Sequence, residues 1–210
     1  RFLIMLRKTR IILALIFWIG ITMLFLDFTG TFARLTGWMA KIQFVPALLS
    51  LNFIVVSALL VLTLLFGRIY CSVVCPLGVT QDIFARFGRI GRKNRNRYSY
   101  SRPITWLRIT FLIVFIAAFF AGIGWLVAVL APYSAYGRMV SSFLSPVYIA
   151  VNNLLANLSE SMGNYAFYRK DPQFTSIPVM VTAGITLLLI FILAWRNGRT
   201  YCNTVCPVGT

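Results

Sequence analysis

Four long apolar runs divide the chain: Ile11–Leu26, Phe44–Phe66, Ile104–Leu130 and Ile177–Trp195. A helix needs about 20 mostly apolar residues to cross the hydrocarbon core of a bilayer. The first run reaches that length through Phe28, and the others are of about that length or longer. A spanning barrel would alternate polar and apolar positions, and Leu187-Leu188-Leu189-Ile190-Phe191-Ile192 does not. The pattern predicts an all-α integral membrane protein with four transmembrane helices. Two further stretches have helical spacing. Thr80, Ile83, Phe84 and Phe87 alternate with Gln81, Asp82 and Arg86, which predicts a short amphipathic helix on the inner leaflet, begun by Pro76. Val140, Phe143, Leu144, Val147, Tyr148, Val151, Leu154, Leu155 and Leu158 predict an interfacial helix on the outer side, starting or kinked near Pro146. Packing is its ordinary role; the alternatives are a wall of a quinone pocket or a partner-docking surface.

Composition agrees with this reading: 60% of residues are hydrophobic and 11% charged, and the mean hydropathy is +0.84. The net charge of +16 does not point to nucleic acid, because the basic residues sit mainly between the apolar runs. Arg1, Arg7, Lys8 and Arg10 precede the first run. Arg68, Arg86, Arg89, Arg92, Lys93, Arg95, Arg97 and Arg102 lie between the second and third, and Arg196 and Arg199 follow the fourth. The positive-inside rule then places both termini, and the basic segment, on the cytoplasmic side of a bacterial inner membrane. The basic segment is expected to bind anionic lipid, with docking of an acidic redox carrier as the alternative. The chain begins at Arg1 and is expected to be a segment of a longer protein.

A cysteine motif occurs twice, each time just after an apolar run. Gly67-Arg68-Ile69-Tyr70-Cys71-Ser72-Val73-Val74-Cys75-Pro76-Leu77-Gly78 matches Gly198-Arg199-Thr200-Tyr201-Cys202-Asn203-Thr204-Val205-Cys206-Pro207-Val208-Gly209, and the chain has no other cysteine. The duplication predicts two parallel two-helix repeats related by an axis along the membrane normal. Residues 1–80 form the first repeat, and 81–102 an amphipathic and basic cytoplasmic linker. Residues 103–210 form the second, with a long outer loop at 131–176. Packed about that axis, the halves would bring Cys71, Cys75, Cys202 and Cys206 together at the cytoplasmic rim; thiols lying far apart would defeat a single shared site.

Thiols on a reducing face bind metal or do redox work more often than they form structural disulfides. Cysteines at i and i+4 on a helix share one face, but Pro76 and Pro207 disfavour helix at the residue before them, so each pair marks a helix end. Two pairs supply the four thiolates that an iron–sulfur cluster takes. A zinc ion held by four thiolates fits the ligand count equally well. With no His in the chain, Rieske centres, bis-histidine haem and Ser/His/Asp catalysis are excluded. Arg68 and Arg199 either offset cluster charge or anchor the chain at the membrane surface. Tyr70 and Tyr201 are expected as interfacial-belt tyrosines ahead of cluster shields. Asp27 ends the first run, where a carboxylate needs no role in quinol deprotonation.

The paired G-R-x-Y-C-x-x-V-C-P-x-G motifs, each behind an apolar run, resemble those of the membrane polyferredoxin family. That family includes membrane subunits of periplasmic nitrate reductase and nitrous-oxide reductase electron-donor systems, and a copper reductase that assists cytochrome oxidase assembly. The resemblance implies electron transfer at the cytoplasmic membrane, with Cys71, Cys75, Cys202 and Cys206 as the matching residues. It implies a [4Fe–4S] cluster ahead of a [2Fe–2S] one. The partners it implies are a cytoplasmic redox carrier or ferredoxin-like domain, and quinol or an outer-side redox partner. Two other functions use the same features: thiol-based handling of copper, and a non-catalytic membrane anchor or assembly subunit.

Overall fold

The computed structural model describes residues 2–27, 30–50, 52–66, 70–90, 104–161, 169–171 and 175–209. All regular structure among them is helical. Three helices are long and apolar enough to cross a membrane, over Lys8–Leu26, Pro132–Ser161 and Ile177–Arg196. The first belongs to α1 (Phe2–Leu26) and the last to α10 (Ile177–Asn197), both at sites the apolar runs predict. Large apolar side chains on the outside, such as Leu64, Phe120, Ile54 and Ile177, leave an apolar surface suited to lipid rather than water.

The second and third runs fold differently from the expected single spans. The second becomes α3 (Phe44–Leu49) and α4 (Phe53–Phe66). Its break lies at polar Ser50 and Asn52: the Asn52 carbonyl accepts from Val56 N–H, and its own N–H donates to Ala47 O. At 14 residues α4 is about 21 Å long, short of a ~30 Å core. The third run becomes α6 (Thr105–Phe120) and α7 (Gly124–Leu130). Gly122 takes φ 71°, its N–H donates to Phe119 O, and Ile123 N–H donates to Ala118 O. This is a Schellman end, which a left-handed glycine permits. It folds α7 back, so that Val127 and Leu130 join Phe115 and Ala118, with Val45 of α3, in one buried cluster.

The predicted outer interfacial helix belongs to a longer element. α8 (Pro132–Met139) starts with Pro132 after extended Ala131 and passes through a π turn at Val140–Leu144 into α9 (Ser145–Ser161). The sequence hides this helix because Tyr133, Ser134, Gly137 and Arg138 interrupt its apolar face. Arg138 is nonetheless accommodated: its guanidinium donates to Ala128 O at 2.7 Å, to Ser134 Oγ at 3.2 Å and to Val129 O at 3.3 Å, satisfying the carboxyl end of α7. The perturbation near Pro146 is the π turn. Ser145 N–H donates five residues back to Val140 O, just before a proline that has no N–H to give.

The helix after the first cysteine motif, α5 (Pro76–Ile90), starts where predicted and runs three residues past Phe87, but does not have the predicted surroundings. Its first six residues, Pro76 to Gln81, are all buried. Phe84 packs edge-on against Phe191 of α10, and the Gly88 backbone lies against Trp195. Trp18 Nε1 donates to Thr80 Oγ1 at 3.0 Å. Trp18 is near the middle of the Lys8–Leu26 segment, so α5 is recessed into the helix assembly instead of lying on its rim. Of the basic linker expected within 81–102, residues 91–102 lie outside the described residues.

Candidate functional site

The two motifs share a local backbone device. In the first, a π turn at Tyr70–Val74 ends with Cys75 N–H donating to Tyr70 O at 2.9 Å. In the second, α11 (Thr200–Thr204) ends with Cys206 N–H donating to Tyr201 O at 3.2 Å. In each case the residue before proline leaves α geometry and reaches five residues back. The two cysteines of a motif therefore sit on either side of a helix end that the motif itself dictates. Gly198 makes the reversal from α10 into the second motif with φ 75°.

The structure brings the two motifs together. All four cysteines are buried as thiols. Cys71, Cys75 and Cys206 belong to one core cluster with Tyr70, Tyr201, Leu77, Ile21 and Ile190. Burial raises the Cys202 thiol to about 12, aided by Cys71 and opposed by the Gln81 amide and Arg199. Cys75 is pushed up farther by burial and then by Cys202 and Cys71, while the N–H groups of Gly78 and Leu77 pull it down. The Tyr201 hydroxyl is raised by burial and then by Cys206, Cys202 and Cys75. These mutual effects link thiols 131 positions apart in the chain. Anything that binds the sulfurs as thiolates must displace protons and supply compensating positive charge.

The surroundings accept a bulky thiolate-bound group. Backbone N–H groups of Leu77 and Gly78 face Cys75 sulfur at the start of α5. A Cβ on Gly78 would stand 2.0 Å from Cys71 O, so this approach requires glycine. Gln81 Nε2 donates to Cys202 Sγ at 3.2 Å across the two halves. Among the described residues, no three His, Cys, Asp or Glu side chains stand at the spacing that holds one metal ion. Buried thiols from both motifs, with N–H donors around them, suit a thiolate-bound cluster.

Of the other predicted site residues, Arg199 is bound to a carboxylate: Nε donates to Asp82 Oδ1 at 2.6 Å and Nη2 to Oδ2. Burial pulls the Arg199 guanidinium down, but Asp82 outweighs it, and the net shift is upward. Its charge is therefore shared with Asp82 before it reaches the sulfurs. Arg68 lies outside the described residues. Tyr70 and Tyr201 are core residues, 7% and 6% exposed, and not belt residues at a lipid surface. Tyr70 OH donates to Gln43 Oε1 at 3.0 Å and accepts from Phe44 N–H at 3.0 Å. Gln43 Nε2 in turn donates to Val74 O at 3.0 Å, tying the first motif to α3. Asp27 caps α2 (Thr31–Lys41), accepting from Gly30 N–H at 3.0 Å and Ala33 N–H at 2.8 Å.

A cavity of about 530 Å³ reaches the site from between α3, α4 and α6. Leu59, Leu60 and Phe115 make its apolar walls, Cys71 and Tyr70 its inner end, and Arg108 contributes charge. The sequence pointed to neither this cavity nor Gln43 and Gln81, whose amides look like ordinary polar positions until the fold buries them completely.

A family-model match agrees with this geometry. Residues 48–96 and 179–210 match a family model described as a 4Fe-4S binding domain. Neither the curated proteins nor the solved structures contain a match. The two matched stretches bracket the two motifs, and they support an iron–sulfur cluster of the 4Fe-4S type as the cofactor of this helical, membrane-compatible chain.

Proposed function

We propose that this chain is a membrane electron-transfer protein in which Cys71, Cys75, Cys202 and Cys206 together hold one 4Fe-4S cluster. The observation that carries the reading is the meeting of both buried cysteine pairs in one interior, with N–H donors from Leu77, Gly78 and Gln81 facing the sulfurs. Such a cluster supplies a one-electron couple when bound. The chain's own residues fix the sulfurs at two proline-dictated helix ends, exclude water with Tyr70, Tyr201 and Leu77, and donate hydrogen bonds to thiolate. Donors to ligating sulfur and a low exposure both set the potential of such a centre.

A single centre recessed into the helix assembly lies away from both faces of a core about 30 Å thick. A lipid-soluble quinol as electron donor removes that difficulty, and the cavity that opens between α4 and α6 and ends at Cys71 is suited to admit one. The basic stretch that follows the first motif, with Arg196 and Arg199 at the second, favours the cytoplasmic side for the motifs, and a cytoplasmic redox carrier as the other partner. In this reading the hairpins α3–α4 and α6–α7 replace two simple spans, and the repeat survives in the two cysteine motifs and the helix ends they make. The test is the purified protein in detergent. An iron–sulfur absorption band and EPR signal, lost when all four cysteines become serine, support the relay. A colourless protein that binds Cu(I) or zinc contradicts it.

A further inference from the structure

We infer that Gln81 is the positioning residue for Cys202: an amide from the first half that fixes the second half's sulfur and sets the potential of the shared centre. The inference rests on the cluster reading above and deepens it. Gln81 is fully buried and stands on α5 one turn past Leu77, on the face that meets the second motif. Its Nε2 is 3.2 Å from Cys202 Sγ, a side-chain contact that joins the two halves at a sulfur. Its Oε1 is equally buried and has no hydrogen-bond partner.

That imbalance argues against a packing role. A half-satisfied buried amide is less favourable than an apolar side chain of the same length, so methionine would fill the space better. What glutamine adds is the donor to sulfur. A ligating thiolate can only accept, which fixes the amide with nitrogen toward Cys202. Donation to a ligating sulfur withdraws charge from it and favours the reduced centre, raising the potential. The pair of Asp82 and Arg199, next to Gln81 and within the same motif as Cys202, holds α5 and α11 in register so that the amide reaches.

The test uses the full chain in nanodiscs, comparing wild type with Gln81→Met and Gln81→Glu. Expected for Gln81→Met is wild-type iron content, a midpoint potential shifted negative, and loss of one strongly coupled exchangeable proton in pulsed EPR. Gln81→Glu should shift the potential farther in the same direction or lose iron. An unchanged potential together with an unchanged proton coupling in Gln81→Met overturns the role of Gln81 while leaving the cluster reading intact. A wild-type protein without an iron–sulfur signal overturns both. Should Gln81→Met not accumulate, glutamine-selective ¹⁵N labelling of the unaltered protein decides: a ¹⁵N coupling to the centre is expected, and its absence overturns the inference.

Discussion

Gly78→Ala probes the closest backbone approach in the site. The added Cβ would lie 2.0 Å from Cys71 O and 3.1 Å from Cys71 C, both backbone atoms that cannot rotate away. Ordinary carbon–oxygen contact begins near 3.3 Å, so α5 and the first motif must separate by more than about 1 Å. Overpacking of that kind costs about 1–3 kcal/mol. Alanine returns at most about 1 kcal/mol of helix propensity, since Gly78 is inside α5. The net is a destabilisation of roughly 1–2 kcal/mol, and it moves the Leu77 and Gly78 N–H groups away from Cys75 sulfur. Gly184→Ala is the control: its Cβ meets only Phe143 at 3.8 Å, an ordinary contact, and α10 gains helix propensity. Melting in detergent and iron per chain should fall for Gly78→Ala and hold for Gly184→Ala. Full iron content and an unchanged melting temperature in Gly78→Ala would refute the argument.

Tyr70→Phe strips the hydroxyl from buried Gln43 Oε1 and Phe44 N–H, and should cost about 1–3 kcal/mol in a chemical-denaturation or thermal assay. The pair Arg199–Asp82 is partly exposed, with side chains 28% and 42% accessible; a double-mutant cycle of Arg199→Gln and Asp82→Asn should give a coupling of about 0.5–1 kcal/mol. Asp82→Asn alone should raise the midpoint potential, because it removes a negative charge near the sulfurs and leaves the guanidinium unbalanced. Thr63→Trp should fill the cavity that ends at Cys71, slowing reduction by a quinol analogue at least several-fold while iron content stays at the wild-type level; equal rates would count against the cavity as an entry route.

Much of this arrangement was legible before the fold was known. The apolar runs gave the helical class, and α1 and α10 appear where they predict. The x-Pro rule placed a helix end at each cysteine pair, and both ends are there, between the two cysteines. Periodicity could not say which medium a helix face meets. The 77–87 pattern suits an inner-leaflet helix and a helix buried against α10 equally, because both want one apolar face. Hence Gln81 read as an exposed polar residue. Run length likewise counts residues without regard to direction: the left-handed turn at Gly122 and the polar pair Ser50 and Asn52 folded two spanning-length runs into hairpins. Pairings such as Arg199 with Asp82 or Gln81 with Cys202 join positions more than 100 residues apart, which no local pattern encodes.

The central claim is that both cysteine pairs serve one centre. Iron and acid-labile sulfide per chain, with the EPR signal, measured for wild type and for Cys71→Ser, Cys75→Ser, Cys202→Ser and Cys206→Ser separately, test it most directly. The account predicts the iron and sulfide of one 4Fe-4S cluster in the wild type, and loss or conversion of the same signal by a substitution in either half. A signal that survives unchanged when either whole pair is replaced, or a protein that takes up one copper or zinc ion in place of iron and sulfide, would contradict it.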